Sequence, residues 1–292
     1  MAERVERVGI LSALHKPRVR ETTRRAAELL QQAGATVVVS ETLAEACALD
    51  CDRCEDIAQA RPDLILVMGG DGTFLAAARL MAPLGVPLLG VDLGGFGFLA
   101  EEEPERVLAG IDRLLAGEFE IEERLMLRAA VLRDGDEFAG YLGLNDAVIA
   151  TGSFRRITRL ELHVAGEHIA QFAADGLIIA TPTGSTAYSL SAGGPICDPR
   201  VEAILITAIC PHTLHTRPLV VNAESELLVT VGSERRPSED LALTVDGQET
   251  VELLPGDHVA IARAPERARL VRLGRRTFYD RLRAKLRWGE ER

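Results

Sequence analysis

A glycine-rich segment built around one carboxylate is the first part of this chain whose residues could do chemistry. The segment Gly69-Gly70-Asp71-Gly72-Thr73 follows the apolar run 64–68 and precedes a stretch typical of a helix. Glycine lets the backbone come close to a ligand, and the amides at the start of a helix favour an anion. The pattern therefore predicts a phosphate-binding loop made of Gly69, Gly70, Gly72 and Thr73.

Asp71 is the residue of this loop whose role the residue types leave open. The loop has neither the Gly-Lys-Ser/Thr of a Walker P-loop nor the G-x-G-x-x-G of a Rossmann fingerprint, so it offers no lysine to hold a phosphate. A carboxylate beside phosphates is repelled unless it binds a metal ion or takes a proton. Asp71 is therefore a candidate Mg²⁺ ligand, a candidate general base, or both. The alternative is a structural turn in which Asp71 caps the helix.

Two further segments place glycines or hydroxyl groups at the end of a predicted strand. Residues 90–99 are rich in glycine and follow the apolar run 86–91, which would put a second loop at the edge of a sheet where α/β proteins bind ligands. Residues 181–188 read Thr-Pro-Thr-Gly-Ser-Thr-Ala-Tyr and follow the run 177–180. Their amides and hydroxyls suit a base or a ribose. Taken alone, each segment also fits an ordinary turn or helix start.

Together the three segments resemble the NAD kinase family, whose members phosphorylate NAD at the 2′-hydroxyl of its adenosine ribose. The resemblance continues in Asn145-Asp146, in residues 211–220 and in residues 278–289, and it covers roughly residues 5–289. It implies an enzyme that transfers the γ-phosphoryl group of ATP to NAD and releases NADP and ADP. It also implies Mg²⁺ or another divalent cation as cofactor, and a homodimer or homotetramer.

The resemblance also implies a set of site residues. Asp71 matches the proton acceptor of the family, and Gly72 follows it in the nucleotide contact. Asn145 and Asp146 match a pair that binds the adenosine side and a ribose of NAD, and Asp175 matches a carboxylate that binds the nicotinamide amide. The further NAD contacts that it implies are Arg156, Thr186, Ala187, Tyr188, Ser191 and Gln248.

The first 120 residues alternate between strand-like and helical segments. The predicted strands and helices are 8–14, 17–34, 35–40, 42–60, 64–68, 73–81, 86–91 and 103–116. Such alternation is typical of a parallel sheet with right-handed helical crossovers. We therefore predict a Rossmann-like α/β domain over residues 1–120 that binds the nucleotide phosphates.

The pattern changes after residue 120 to short β-rich runs separated by turns. Residues 121–273 therefore predict a mostly antiparallel, β-sandwich-like domain, which on the resemblance would bind NAD. Residues 274–289 contain a basic amphipathic helix that we expect to pack back on the first domain. The predicted fold class is α/β plus all-β.

Composition limits the partners and the compartment. The 292 residues hold 33 Lys and Arg against 44 Asp and Glu, a net charge of −11. This balance argues against a nucleic-acid or anionic-membrane partner, because no excess of cations is available to neutralise phosphates. No apolar run approaches the roughly 20 residues that span a bilayer. With no signal-peptide pattern at the charged N-terminal sequence, we expect a cytoplasmic protein.

Two other functions stay open beside the NAD kinase interpretation. The first is a kinase for another acceptor, such as a lipid, that uses the same loop. The acidic balance and residues 181–188 count against it. The second is a non-catalytic module that senses NAD(P). Asp71 counts against it, because a pure binding protein gains nothing from a carboxylate beside phosphates.

Cysteines and histidines suggest metal chemistry at two places. Cys47, Cys51 and Cys54 have the C-x₃-C-x₂-C spacing of radical S-adenosylmethionine enzymes, but on a helix over 42–60 they would share one apolar face, which favours core packing. His212 and His215 lack a third ligand in the sequence around them. We therefore expect no metal site at either place.

Overall fold

A computed structural model describes residues 4–14, 17–93, 97–100, 102–151, 158–213, 215–232, 241–274 and 277–286. The chain divides into two compact units, of which the first comprises Met1–Glu123 and Ala268–Arg292 and the second Arg124–Arg267. The second unit is thus inserted, in sequence, between two parts of the first. Each unit has its own hydrophobic core.

Seventeen strands and seven α-helices are formed by the described residues. The strands are β1 Arg7–Ser12, β2 Thr36–Ser40, β3 Asp52–Cys54, β4 Leu64–Gly69, β5 Leu88–Asp92, β6 Glu120–Arg133, β7 Asp136–Gly143, β8 Asp146–Thr151, β9 Thr158–Val164, β10 Glu167–Ala174, β11 Gly176–Ala180, β12 Ala203–Ile209, β13 Leu219–Asn222, β14 Leu227–Val231, β15 Leu241–Val245, β16 Glu249–Glu252 and β17 His258–Arg272. The helices are α1 Pro17–Gln32, α2 Glu41–Cys47, α3 Asp71–Met81, α4 Pro104–Ala109, α5 Ile111–Leu115, α6 Tyr188–Ser191 and α7 Phe278–Leu286.

The first unit is built on a parallel sheet in the order β3-β2-β1-β4-β5. Leu270 of β17 extends this sheet by pairing in parallel with Leu88 of β5. All six residues of the central strand β4 are buried, as expected for a parallel strand covered on both faces. The structure confirms the predicted parallel α/β sheet with helices.

One predicted helix of this unit is wrong. The helix expected over 42–60 ends at Cys47, where Ala48 takes a left-handed conformation with φ 51° and the Leu49 N–H donates to the Ala44 carbonyl. Residues 52–54 then form β3, which pairs in parallel with β2. The backbone of residues 52–54 finds its hydrogen-bond partners on β2 at the edge of the sheet. The sequence pattern of residues 42–60 does not reveal this tertiary pairing.

The helix expected over 103–116 is interrupted. Gly110 ends α4 and begins α5, and its N–H donates to the Val107 carbonyl. Glycine in a helix interior costs about 1 kcal/mol relative to alanine, so this position is a natural break. The two short helices that result bury Val107, Ile111 and Leu114 in the core of the first unit.

The second unit packs two antiparallel sheets around one core. One sheet has the order β13-β12-β11-β8-β15-β16, and its neighbouring strands are all antiparallel. The other runs β10-β9-β14-β17, with β6 paired to β17 and β7. Ile149 and Ile179 from the first sheet share a buried cluster with Leu162 and Val229 from the second. The mostly antiparallel, sandwich-like prediction is confirmed.

Helices long and apolar enough to cross a bilayer are not found among the described residues.

Candidate functional site

The glycine-rich loop of the first unit joins the buried strand β4 to α3. Gly69 is the last residue of β4, Gly70 is the N-cap of α3, and Asp71 is its first residue. The N–H groups of Thr73 and Phe74 donate to the Gly70 carbonyl. The alternative in which Asp71 caps the helix is wrong, because Gly70 occupies that position and the Asp71 carboxylate contacts another segment.

Backbone amides that follow β5 hold the Asp71 carboxylate. The Phe98 N–H donates to Oδ2 at 2.7 Å, and the N–H groups of Leu99 and Ala100 donate to Oδ1 at 3.0 and 3.4 Å. A Cβ at Gly97 would overlap Asp71 Oδ1, so any larger residue there would have to displace the carboxylate. Because β4 and β5 are parallel neighbours, residues 97–100 follow β5 at the same edge of the sheet as the Asp71 loop, while residues 94–96 of the expected second loop lie outside the described residues.

This arrangement leaves the Asp71 carboxylate able to accept a further hydrogen bond. Asp71 is half-buried, and Oδ2 accepts one hydrogen bond from the part of the chain that the structure describes. A carboxylate oxygen has two lone pairs, so Oδ2 can accept a hydroxyl as well. The N-terminus of α3, an 11-residue helix, carries the positive end of its dipole beside that carboxylate. The start of α3 can therefore bind an anion, while the Asp71 carboxylate accepts a hydrogen bond from a hydroxyl.

In the second unit, Asn145 and Asp146 border a cavity of about 410 Å³. Asn145 precedes β8 and Asp146 is its first residue, while Ala187 and Tyr188 begin the short helix α6. The cavity is lined by Asn145, Asp146, Val148, Ala187, Tyr188, Thr244, Asp246 and Gly247. The structure thus brings together four of the residues expected to contact NAD.

The 181–188 turn is locked against the Asn145 backbone. The Thr181 hydroxyl donates to the Leu144 carbonyl at 2.6 Å, and the Thr181 N–H donates to the Asn145 carbonyl at 2.8 Å. A Cβ at Gly184 would overlap that same Asn145 carbonyl, which explains the glycine. The buried Arg124 Nη1 donates to the Thr183 hydroxyl at 3.2 Å. The hydroxyls of Thr181 and Thr183, which the sequence suggested for ligand binding, thus form hydrogen bonds that stabilise the turn itself.

Asp246 is a residue of this cavity that the sequence analysis missed. It is 7 % exposed and adopts φ 52° in the turn between β15 and β16. Its carboxylate accepts hydrogen bonds from the N–H groups of Leu144, Asn145 and Asp146. The signal in the sequence was Asp-Gly between two strand-like runs, which is typical of a hairpin turn and hides any other role.

Burial and the negative charge of Asp246 raise the pKa of the Asp146 carboxyl from 3.8 to about 7. Asp146 is 5 % exposed, and burial disfavours its charged form. At neutral pH a large fraction of Asp146 is therefore a carboxylic acid that can donate a hydrogen bond.

Comparison with known proteins shows two family models matching most of the chain. The model described as ATP-NAD kinase N-terminal domain matches residues 8–119, and the ATP-NAD kinase C-terminal domain matches 144–273. The NAD kinase of Moorella thermoacetica is 44 % identical over 292 residues, which cover 99 % of this chain and 91 % of that protein. The chain belongs to the NAD kinase family. The resemblance read from the motifs is thereby confirmed.

Other members of the NAD kinase family match in sequence and in fold. The NAD kinase of Carboxydothermus hydrogenoformans is 48 % identical over 225 residues, covering 77 % of this chain and 79 % of its own. The crystal structure of yeast NADH kinase complexed with NADH matches with a TM-score of 0.89 and 25 % identity, over 99 % of this chain and 89 % of that one. An NAD kinase from Archaeoglobus fulgidus in complex with ATP has the same fold, with a TM-score of 0.70 and 24 % identity over 97 % of this chain and 98 % of that one.

The remaining residues expected from the NAD kinase resemblance lie outside the described lining of the cavity. Asp175 is exposed between β10 and β11, and Ser191 is exposed at the end of α6. Thr186 is half-buried and its hydroxyl donates to the Thr183 carbonyl. Gln248 is exposed and directly follows Gly247, which does line the cavity. Arg156 falls outside the described residues.

Among the described residues, no three His, Cys, Asp or Glu side chains are grouped closely enough to hold a metal ion. Cys47 lies on α2 and Cys54 on β3, so the expected common helix face for the thiols is wrong. Burial raises the pKa of all three thiols, Cys51 included, which makes each a weaker nucleophile and ligand at neutral pH.

Proposed function

We propose that this chain transfers the γ-phosphoryl group of ATP to the 2′-hydroxyl of the adenosine ribose of NAD, giving NADP and ADP. The observation that carries the proposal is the Asp71 carboxylate, held by the amides of residues 98–100 at the start of α3. Identity of 41 to 48 % to relatives named NAD kinase supports the choice of substrate.

In this proposal Asp71 accepts the proton of the ribose hydroxyl. A hydroxyl is a poor nucleophile at pH 7, and a positioned carboxylate that takes its proton contributes roughly 10²- to 10⁴-fold in rate. As the O–H bond breaks, the ribose oxygen forms a bond to the γ-phosphorus, and the bond to the ADP oxygen breaks with its electron pair on ADP. The transfer is in-line and has no covalent enzyme intermediate.

Phosphates and NAD are assigned to the two sets of residues described above. Gly69, Gly70, Gly72 and Thr73 hold phosphates at the positive end of α3, in a loop whose own sequence contains no lysine. Asn145, Asp146, Ala187 and Tyr188 take the adenosine side of NAD in the cavity. The family resemblance supports further NAD contacts from Gly72, Arg156, Asp175, Thr186, Ser191 and Gln248.

A divalent cation fits this proposal as a companion of ATP. Mg²⁺ is usually bound through one or two carboxylates together with substrate phosphates, so it needs no cage of protein ligands. Asp71 is the candidate carboxylate. When bound, Mg²⁺ would neutralise charge on the transferring phosphoryl group.

The oligomer rests on the family resemblance, and the compartment rests on the charged N-terminal sequence, which has no signal-peptide pattern. We propose a homodimer or homotetramer that works in the cytoplasm on NAD and ATP. Light scattering of the purified protein measures the first of these, and a monomer would contradict it.

One assay tests the proposed reaction. The purified protein is incubated with NAD, ATP and Mg²⁺, and NADP is measured with an NADP-specific dehydrogenase. We expect NADP to form, and to be lost when ATP is omitted. NAD binding without NADP would instead favour a non-catalytic NAD(P) module. Neither binding nor product would favour a kinase for another acceptor.

A further inference from the structure

The Asp246 carboxylate accepts hydrogen bonds from three consecutive backbone amides beside the cavity. The N–H groups of Leu144, Asn145 and Asp146 donate to its two carboxylate oxygens at 2.9, 2.7 and 3.2 Å. In return, the Asp246 N–H donates to the Asp146 carbonyl at 2.9 Å. Hydrogen bonds to an ionised acceptor are roughly twice as strong as neutral ones.

The carbonyls of the same short segment are held from another element. Thr181 donates to the carbonyls of Leu144 and Asn145, and Gly184 packs on Asn145. The amides of residues 144–146 thus depend on Asp246, while two of their carbonyls depend on the 181–188 turn. Removing the Asp246 carboxylate therefore leaves the three amides of this segment without the acceptor they share.

We propose that Asp246 is a positioning residue of the NAD site: its carboxylate holds the backbone of residues 144–146 so that Asn145 and Asp146 face the cavity. This inference rests on the proposed function for the identity of the ligand. In this role Asp246 acts through the three hydrogen bonds that its carboxylate accepts from the protein's own amides.

The negative charge of Asp246 makes this role detectable, because it affects the ionisation of the Asp146 carboxyl. The strands beside β8 are β11 and β15, and neither carries an ionisable side chain. Around the cavity the other ionisable side chains of the described lining are Asp246 and Tyr188. Asp246 therefore opposes the ionisation of Asp146 and, together with burial, keeps that carboxyl neutral to a higher pH.

Equilibrium binding of NAD without ATP, followed by calorimetry from pH 5.5 to 8.5, tests the inference. In the wild-type chain we expect affinity to weaken about tenfold as pH rises through 7 and Asp146 ionises. In Asp246→Asn, affinity at pH 6 should fall about tenfold and the midpoint of the pH dependence should move down by about one unit. Asp146→Asn should bind with little dependence on pH.

Asp136→Asn is the matched control, because Asp136 is an exposed aspartate of the same unit in the β6–β7 hairpin. It should match the wild-type curve. Lower affinity without a moved midpoint would show a merely structural role for Asp246 and would also overturn the inference. Wild-type affinity and an unmoved midpoint in Asp246→Asn would overturn the inference.

Hydrogen exchange separates this inference from the proposed function. The amides of residues 144–146 should exchange at least about tenfold faster in Asp246→Asn than in the wild-type chain, whether or not NAD binds. Unchanged protection overturns the inference, whereas a wild-type chain that neither binds NAD nor forms NADP overturns the function. If Asp246→Asn does not fold, hydrogen exchange in the wild-type chain decides: slow exchange of the three amides that donate to Asp246 supports the inference, and exchange as fast as in an exposed loop overturns it.

Discussion

Among the described residues, backbone amides and no cation hold the Asp71 carboxylate in place. Amides cannot leave through a change of rotamer, so the carboxylate keeps its orientation while Oδ2 remains able to accept a hydroxyl. A lysine at this position would hold a phosphate but could not serve as the acceptor of a proton at neutral pH. The choice of side chain thus favours chemistry on an alcohol.

Asp71→Asn should lower turnover by about 10²- to 10⁴-fold, because the amide cannot accept the ribose proton. The amide oxygen can still accept a hydrogen bond from residues 98–100, so the dissociation constant of NAD should change little. Steady-state kinetics and calorimetry measure the two effects. Asp112→Asn, on an exposed position of α5, is the control. Full turnover in Asp71→Asn would sink the assignment of the base.

Asp146→Asn should stabilise the chain at high pH. The folded-state pKa of Asp146, about 7, lies above its ordinary value of 3.8, so its contribution to stability is complete below about pH 4 and is lost as pH rises to 7. Urea unfolding at pH 5 and pH 8 should show the substitution becoming more favourable by about 2 to 3 kcal/mol at the higher pH. An equal effect at both pH values would contradict this; Asp136→Asn should show that equality.

Single residues differ in how far the sequence reveals them. Asp71 was predictable because glycines and a buried strand mark its position locally. Its partners Phe98, Leu99 and Ala100 are about 27 residues away and bind through backbone, which leaves no mark on residue type. Asp246 was hidden for the same reason, since its partners lie about 100 residues earlier.

At the scale of elements, the segments of the α/β sheet that bury both faces were the easiest to predict. The run 64–68 became β4 almost residue for residue, because a short continuous apolar stretch that stops at two glycines is typical of a fully covered strand. The prediction of one helix over 42–60 failed because the left-handed residue that ends α2 is Ala48, and alanine does not indicate the end of a helix. Alanine normally favours the helix interior.

Gly97→Ala tests the contact between the two loops. The added Cβ would overlap Asp71 Oδ1, and moving that carboxylate by about 1 Å should lower turnover by about a hundredfold. Gly232→Ala is the matched control, because its Cβ would lie 3.5 Å from the Arg159 carbonyl, an ordinary contact. Unchanged turnover in Gly97→Ala, measured by NADP formation, would show that the loop does not constrain Asp71.

At the scale of the whole chain, one unit is continuous and the other is divided. Among the described residues, those that form the core of the second unit all lie within Arg124–Arg267. The first unit takes Val271 into its core and Leu270 into its sheet from beyond the inserted unit. The two units therefore differ in what they need in order to fold.

A fragment of residues 124–267 should fold by itself, since its core is complete. We expect a strand-type circular dichroism spectrum and a cooperative urea transition. A fragment of residues 1–123 should be less stable than the same residues in the intact chain, because it lacks Leu270 and Val271. A non-cooperative 124–267 fragment would contradict the independence of its core.

The division of the first unit also sets an order of completion as the ribosome makes the chain. Residues 268–272, which extend the parallel sheet, emerge only after the entire sandwich has been translated. The nascent protein must therefore carry the Asp71 loop on an unfinished sheet for more than 140 residues of synthesis, and the half of the molecule that is started first is finished last.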